Sequence, residues 1–223
     1  MVRTTVSPLG VDPWGHRNYR TIMRNPVRLK NFNARFLPLY MIGLVILVTY
    51  SPDARSFGFA APLWIAGALV RGWGAGHLVK NDDLTTTGPY AYLRHPLYLG
   101  TILIGTGFAI AIGGFLSALA LLALWPWFAW HYFPRTEEVE SRRLTSLYGE
   151  RFDRYRTAVP ALWPRWTAWN DASSSDPDSG EARASGDSDW RLDRYSDNNE
   201  LGTLLAVMVG GAFFGLRAFV WAA

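Results

Sequence analysis

The longest apolar run in the sequence, residues 97–133, limits what the chain can fold into more than any other feature. A helix crosses the hydrocarbon core of a bilayer with about 20 residues, so this run is too long for a single crossing. Gly113 and Gly114 lie near its middle and favour a turn. The run therefore predicts an antiparallel helical hairpin made of two spans, 97–112 and 115–133.

Three further apolar stretches, residues 36–50, 58–79 and 201–221, flank the hairpin. Of the 223 residues, 49% are apolar and 11 are Trp, a composition typical of membrane proteins with aromatic belts. The sequence thus predicts an all-α integral membrane protein of about five transmembrane helices. The membrane is either a cell membrane or an ER-like membrane.

Charge sets the expected orientation of these spans. Residues 1–35 carry seven Lys and Arg against the single acid Asp12, and residues 134–170 carry seven Arg. Basic loops remain on the cytoplasmic side of a membrane. We therefore expect a basic cytoplasmic arm at 1–35 and a cytoplasmic location for residues 80–96 and 134–200. Lipid headgroups are sufficient partners for this positive charge, and no nucleic acid is expected.

Residues 170–200 differ in composition from the rest of the chain, being acidic and rich in Asp, Ser and Gly. Such a segment buries too little apolar surface to fold alone. It predicts a flexible linker between a core of residues 36–169 and a C-terminal transmembrane helix within residues 201–223. Gly211 and Gly215 in that helix form a Gly-x-x-x-Gly pair that permits close helix packing, but ordinary lipid-facing packing is the favoured interpretation.

The stretch GPYAYLRHPLYLG, residues 88–100, places polar residues where the hairpin begins. Pro96 suits the first turn of a helix. Arg94 and His95 would then lie at a helix N-terminus, where free backbone N–H groups attract carboxylates and phosphates. An interfacial anchor, with Arg and Tyr at headgroup depth, accounts for the same residues.

The charged segment at residues 136–160 follows the hairpin. Glu137, Glu140 and Leu144 fall near one face of a helix, and Gly149 would end or bend that helix. The pattern predicts a cytoplasmic helical segment. A solvated amphipathic helix that lies on the membrane surface explains it equally well.

Arg71 lies inside the second predicted span, roughly 13 Å from its cytoplasmic end. An ionisable group at that depth is a functional candidate by default. Snorkelling or a structural ion pair is the alternative. Gly72, Gly74 and Gly76 surround it and would allow a neighbouring helix or a ligand to approach closely.

These segments, in this order, resemble the membrane-embedded methyltransferases typified by isoprenylcysteine carboxyl methyltransferase and the related phospholipid methyltransferases. The resemblance rests on LTTTGPYAYLRHPLYLG, then the hairpin, then a Glu-bearing helix that runs into LYGERFDRYRTAVP. It covers roughly residues 60–165. It implies a cytoplasmic pocket for S-adenosylmethionine and methyl transfer to an amphiphilic acceptor, either a carboxylate of the prenylated-cysteine type or a lipid amine.

The resemblance also implies particular site residues. The catalytic candidates are Arg71, His95 and Glu140, and no metal site or thiol chemistry is expected in a chain without Cys. The cofactor-binding candidates are Tyr90, Arg94, His95, Pro96, Tyr98, Gly100, Glu137, Glu140, Tyr148 and Tyr155. Ser141 stands where the family has the second acid of a Glu-Glu pair, so Glu137, Glu138 and Glu140 all remain candidates for the acid that contacts the cofactor.

The chemistry of the cofactor fits these residue types. A carboxylate accepts hydrogen bonds from a ribose diol, a cation or helix N-terminus suits the amino-acid carboxylate, and aromatic faces attract a sulfonium. An amine acceptor must first lose a proton, which makes Glu140 or His95 a candidate base, whereas a carboxylate acceptor needs no base.

Two other functions are compatible with the sequence. Membrane sterol reductases carry a similar Arg-His-Pro-x-Tyr-x-Gly motif and use NADPH, but an Asp commonly follows the glycine there, and Thr101 occupies that position here. A non-catalytic membrane adaptor on the same scaffold would bind no cofactor and would tolerate the loss of Glu140.

Overall fold

The computed structural model describes residues 54–79, 84–170, 189–198 and 200–219, and within these ranges the chain forms helices and loops without strands. The α-helices are α1 (Ala54–His77), α2 (Pro96–Ile112), α3 (Gly114–Pro126), α4 (Phe133–Ala158), α5 (Leu192–Asp197) and α6 (Glu200–Phe219). A 3₁₀ helix at Gly88–Ala91 precedes α2, and a π-helix at Trp127–Tyr132 joins α3 to α4. The predicted arm at 1–35 and the predicted span at 36–50 lie outside the described residues.

Two of the described helices are long and apolar enough to cross a membrane. One is the continuous helix Gly114–Ala158 and the other is Glu200–Phe219. A core helix of a soluble protein would be mostly buried, but only 6% and 11% of their apolar windows are buried inside the protein. The all-α character holds for the described residues and is consistent with a membrane protein, whereas the count of five spans stays a prediction.

The predicted hairpin is present and turns at the expected glycines. Gly113 has φ 81° and Gly114 has φ 53°, backbone conformations that residues with a side chain rarely adopt. The Gly113 amide caps α2 by donating to the Ile110 carbonyl. Pro96 lies in the first turn of α2, as its missing N–H favours.

The second hairpin helix does not end near residue 133 as predicted. It runs from α3 through the π-helix into α4, so the predicted span 115–133 and the charged residues up to Tyr148 belong to one helix, which bends at Gly149. Pro126 lacks an N–H donor and its ring displaces the preceding turn. The wider π turn that follows it accommodates this disturbance without stopping the helix.

Glycines let α1 and α2 approach closely, as predicted for the glycines around Arg71. A Cβ atom on Gly67 would lie 2.7 Å from the Gly100 carbonyl oxygen, and one on Gly74 would lie 3.1 Å from the ring of Pro96. The two backbones therefore cross in contact at Gly67 and Gly100. This crossing fixes α2, which carries the Arg-His-Pro motif at its start, against α1.

Helix α6 packs on α1 through its glycines, so the favoured prediction of lipid-facing packing for this pair was wrong. A Cβ atom on Gly211 would lie 3.4 Å from the Trp64 ring, and one on Gly215 would lie 3.3 Å from the Phe57 ring. Trp64 and Phe214 are buried in one apolar cluster. Because Gly211 and Gly215 have no side chains, the backbone of α6 can contact the rings of α1. The sequence spacing alone did not identify these rings as partners.

The last part of the predicted flexible linker is folded. Trp190 Nε1 donates to the Gly72 carbonyl at 2.9 Å, the Arg191 amide donates to Gly76 at 3.0 Å, and Asn198 Nδ2 donates to Ala75 at 2.8 Å. The carbonyls at the C-terminal end of a helix need external donors, and residues 189–198 supply them to α1. Residues 171–188 of the predicted linker lie outside the described residues.

Gly149 bends α4, as the sequence predicted, with φ 49° and ψ −128°. Nothing lies within 4 Å of a Cβ atom placed there, so only backbone strain opposes a side chain.

We expect Gly149→Ala to lower the free energy of unfolding by about 1–3 kcal/mol. Gly58→Ala is the matched control, because Gly58 has equally open space but lies within α1. It should stabilise by about 0.5–1 kcal/mol, and equal effects of the two changes on thermal unfolding would contradict the strain.

Candidate functional site

Backbone pairing between two loops brings the two sequence motifs together. The segment after α4 lies along the segment before α2. The Arg94 amide donates to Pro160 at 2.9 Å and the His95 amide donates to Ala161 at 3.0 Å. The Arg165 amide donates in turn to the Tyr92 carbonyl at 3.0 Å. The start of α2 is thereby fixed beside the bent end of α4.

A cavity of about 410 Å³ lies between these elements. This volume falls within the range of small-molecule sites in proteins, about 300–1,000 Å³. Eight predicted site residues line it: Tyr90, Arg94, His95, Pro96, Tyr98, Glu140, Tyr148 and Tyr155. The lining contains both charged and aromatic side chains, which is the mixture that the sequence analysis expected for a charged cofactor.

Glu140 is the acid that reaches into the cavity. Tyr98 donates its hydroxyl to Glu140 Oε1, and His95 Nδ1 lies 3.4 Å from Glu140 Oε2. Glu138 points elsewhere, is 60% exposed and pairs with Arg142 on the helix surface. Of the three acids left open by the sequence, the geometry therefore favours Glu140 as a ligand contact.

His95 presents an unpaired ring nitrogen at this site. Its side chain is 8% exposed, and Nε2 has no hydrogen-bond partner among the described residues. When Nδ1–H donates to Glu140, a neutral ring offers Nε2 as an acceptor. Because buried polar atoms are nearly always paired, this nitrogen fits contact with a donor on a bound molecule.

The Arg94 side chain connects the segment before α2 to α4 and to the residue that follows α4, and it also lines the cavity. Its Nη1 donates to Glu137 Oε1 at 2.9 Å, and its Nε donates to the carbonyl of the buried Val159 at 3.0 Å. Ser141 donates to the same Glu137 oxygen at 3.1 Å. Glu137 is thus committed to Arg94 and does not line the cavity.

Local interactions keep the acids ionised. Burial alone would raise the pKa of Glu140, but the contacts from His95 and Tyr98 outweigh it and lower the pKa below its usual value. Burial likewise opposes ionisation of Glu137, and the hydrogen bonds from Arg94 and Ser141 prevail and lower its pKa. The cavity therefore carries a carboxylate at neutral pH.

The lowered pKa of Glu137 predicts a specific loss of stability in acid. Its folded-state pKa lies below 4.5, so the stabilisation is fully present above about pH 4.5 and disappears as the pH falls through the folded pKa. Thermal unfolding of Glu137→Gln should depend less on pH in this range than that of the wild type. Glu138→Gln, which removes an exposed acid, should keep the wild-type slope. Identical slopes for wild type and Glu137→Gln would refute the linkage.

Arg71 and Gly100 serve the contact between helices instead of lining the cavity. Both oxygens of Glu200 accept hydrogen bonds from Arg71, and Arg71 Nη1 donates to the Leu97 carbonyl at 3.0 Å. Gly100 makes room for the Arg71 side chain and for the Gly67 carbonyl. The catalytic role expected for Arg71 thus finds no direct contact in the geometry, which favours the structural ion pair.

The sequence analysis missed several residues of the cavity wall. Four follow α1, one lies in α2 and three lie on α4; they are Leu78, Val79, Leu84, Thr85, Leu97, Arg143, Leu144 and Leu147. Phe152, which belongs to the motif LYGERFDRYRTAVP, lines the cavity as well. The i, i+3 and i+4 spacing from Glu140 identifies Arg143 and Leu144 as neighbours on one face. No sequence pattern of this kind identifies Leu84 or Thr85, because their position at the cavity depends on contacts between distant segments.

Exposed apolar helices beside a cavity that holds a hydrogen-bonded carboxylate are consistent with a helical membrane protein that has a ligand-sized site. Residues 57–151 match the model of the phospholipid methyltransferase family. This match confirms the resemblance on which the sequence analysis relied.

Three curated proteins match significantly. A protein-S-isoprenylcysteine O-methyltransferase from Schizosaccharomyces pombe is 30% identical over 141 residues, which cover 60% of this chain and 58% of the relative. The cobalt-zinc-cadmium resistance protein CzcN from Cupriavidus metallidurans is 38% identical over 97 residues, 43% of this chain and 42% of the relative. The chain thus spans about half the length of the curated relatives it matches. No solved structure matches it significantly.

Proposed function

We propose that the protein transfers a methyl group from S-adenosylmethionine to an amphiphilic acceptor in the membrane. The convergence of Glu140, Tyr98 and the unpaired His95 nitrogen on one cavity carries this proposal. The family of residues 57–151 and the name of the S. pombe relative support it. The acceptor is either a carboxylate of the prenylated-cysteine type or a lipid amine.

The residues present suit this cofactor. Glu140 is ionised and can accept hydrogen bonds from a ribose diol, and His95 Nε2 can accept one from an amino or ammonium group. The rings of Tyr98 and Tyr148 can stabilise a sulfonium by cation–π attraction. The bound cofactor would supply an electrophilic methyl group, and transfer would need no covalent bond to the protein.

The protein's contribution to the reaction would be positioning and exclusion of water. Tyr90 and Tyr155 are buried at the cavity, and burial raises the pKa of both phenols, so they stay neutral. Tyr155 donates to the Tyr90 carbonyl at 2.7 Å and so fixes this wall. An ordered cavity that excludes water when the reactants are bound would accelerate an in-line displacement by holding them close together. If the acceptor is an amine, Glu140 or His95 would remove its proton.

The orientation proposed for this site follows from charge. Seven Arg in residues 134–170 and seven Lys and Arg in residues 1–35 favour the cytoplasmic side for the cavity and for the N-terminal arm. About five membrane spans, with α2 and α3 as the hairpin, complete the arrangement. The acceptor would then reach the cavity from the bilayer and the cofactor from water.

Binding measurements on the purified full-length protein in detergent test this function. We expect saturable binding of S-adenosylmethionine and none of NADPH. Binding of NADPH alone would favour the reductase, and binding of neither would favour the adaptor. Incubation of membranes with methyl-labelled cofactor would then identify the acceptor, as label should enter either lipid or prenylated cysteine.

A further inference from the structure

The contact between Arg71 and Glu200 joins two parts of the chain that the family match separates. Arg71 lies in α1 within the matched residues 57–151, whereas Glu200 begins α6 beyond them. The pair is bidentate, with Nε to Oε2 at 2.9 Å and Nη2 to Oε1 at 2.5 Å. The side chain of Glu200 is 4% exposed and that of Arg71 is 17% exposed. Water therefore screens this pair little.

The remaining donor of Arg71 acts on the start of α2. Nη1 donates to the Leu97 carbonyl at 3.0 Å and contacts the hydroxyl of Thr101, which itself donates to Leu97 at 2.8 Å. Leu97 belongs to the run His95 to Tyr98, in which every residue lines the cavity. Arg71 thus holds the backbone of the turn that presents His95 and Tyr98 to Glu140.

A guanidinium is planar, so its orientation decides whether it can donate to a carboxylate and to a carbonyl at the same time. Glu200 fixes that plane by engaging two of the nitrogens, which leaves Nη1 directed at Leu97. The segment before Glu200 is itself attached to α1, because Asn198 Nδ2 donates to the Ala75 and Leu78 carbonyls at 2.8 and 3.2 Å. Leu78 also lines the cavity, so the C-terminal segment supports two of its walls.

We propose that Glu200 is a positioning residue for the cavity: by orienting Arg71 it fixes the first turn of α2, and with it His95 and Tyr98. The proposal assigns the C-terminal segment a part in binding S-adenosylmethionine, although none of its described residues lines the cavity. It rests on the proposed function only in identifying that ligand as S-adenosylmethionine. The position of the α2 turn is a separate property that can be measured without a ligand.

The test compares Glu200→Gln and Arg71→Lys with the control Glu138→Gln in the full-length protein. Glu200→Gln keeps the shape of the side chain and removes its charge. Arg71→Lys keeps the charge and removes the planar set of donors. Glu138→Gln breaks an ion pair of similar length that is exposed on α4. Amide hydrogen exchange measures the α2 turn, and equilibrium binding measures S-adenosylmethionine.

Both site variants should accelerate exchange at residues 99–101 while helix α3 exchanges as in the wild type. They should weaken cofactor binding on the order of tenfold or more, since small displacements of positioned groups have effects of this size. The control should change neither measurement. If the variants exchange faster at the turn but the wild type binds no S-adenosylmethionine, the positioning role is supported and the proposed function is rejected. Unchanged exchange at the turn, or a uniform acceleration along the whole chain, would overturn the proposal.

Discussion

Glu140→Ala should lower the affinity for S-adenosylmethionine by about 10- to 100-fold. The carboxylate lines the cavity and is ionised, so its loss removes a charge-assisted hydrogen bond to the ligand. Each such bond contributes roughly 1.5–3 kcal/mol, and 1.4 kcal/mol corresponds to a factor of ten in affinity. The change also leaves Tyr98 and His95 without their shared acceptor. Calorimetric titration of the detergent-solubilised protein would measure the effect.

The matched control for this experiment is Glu138→Ala. Glu138 lies two residues earlier on α4, but it faces water and pairs with Arg142. Its loss should leave the affinity within a factor of two of the wild type, about 0.4 kcal/mol. The comparison decides between acids that the sequence could not rank. If Glu138→Ala weakened binding and Glu140→Ala did not, the site assignment would be wrong.

Arg94→Ala should destabilise the folded protein by about 1.5–3 kcal/mol, the usual contribution of a charge-assisted hydrogen bond, because the ion pair that it removes is partly buried. The guanidinium is 11% exposed and joins Glu137 to the Val159 carbonyl. Without it, Glu137 keeps only Ser141 at 3.1 Å and the more distant Arg156 at 3.8 Å as partners, and the carbonyl of Val159 loses a donor. Arg94→Lys should recover only part of this loss, because one ammonium cannot span both acceptors.

Arg142→Ala provides the comparison for Arg94→Ala. Arg142 also pairs with a glutamate of α4, at 2.5 Å, but its side chain is 77% exposed. Exposed pairs contribute about 0–1 kcal/mol, so this variant should unfold almost as the wild type does. Equal losses on denaturant unfolding in detergent would mean that Arg94 acts as an ordinary surface charge.

Local patterns in the sequence predicted the local structure well. The apolar length of residues 97–133 and the pair Gly113-Gly114 predicted the hairpin, and Pro96 predicted the start of α2. Gly149 predicted the bend in α4. Each of these depends on backbone preferences that neighbouring residues determine, so no knowledge of distant contacts was needed.

Contacts between distant segments were not predictable in the same way. The sequence indicated that Arg71 needed an explanation, but its partner Glu200 lies 129 positions later in a segment whose composition suggested disorder. Composition reports whether a segment can build its own core. Composition does not report whether the segment can donate hydrogen bonds to carbonyls of another helix, such as those of Gly72 and Gly76. The same limit explains why the contact between Arg94 and Glu137 was not predicted.

If the predicted span 115–133 crosses a membrane, the helix that continues from it to the cavity would act mechanically as a lever. Glu140 lies about 24 Å beyond Leu124, the middle of that span, at the helical rise of 1.5 Å per residue. A change in helix tilt of about 10° around that middle would displace Glu140 by about 4 Å, more than the length of its contacts with Tyr98 and His95. Transmembrane helices adjust their tilt to the thickness of the bilayer. With this span in a bilayer, the thickness of the surrounding membrane would be coupled, through the helical stretch from α3 to Glu140, to the alignment of that carboxylate.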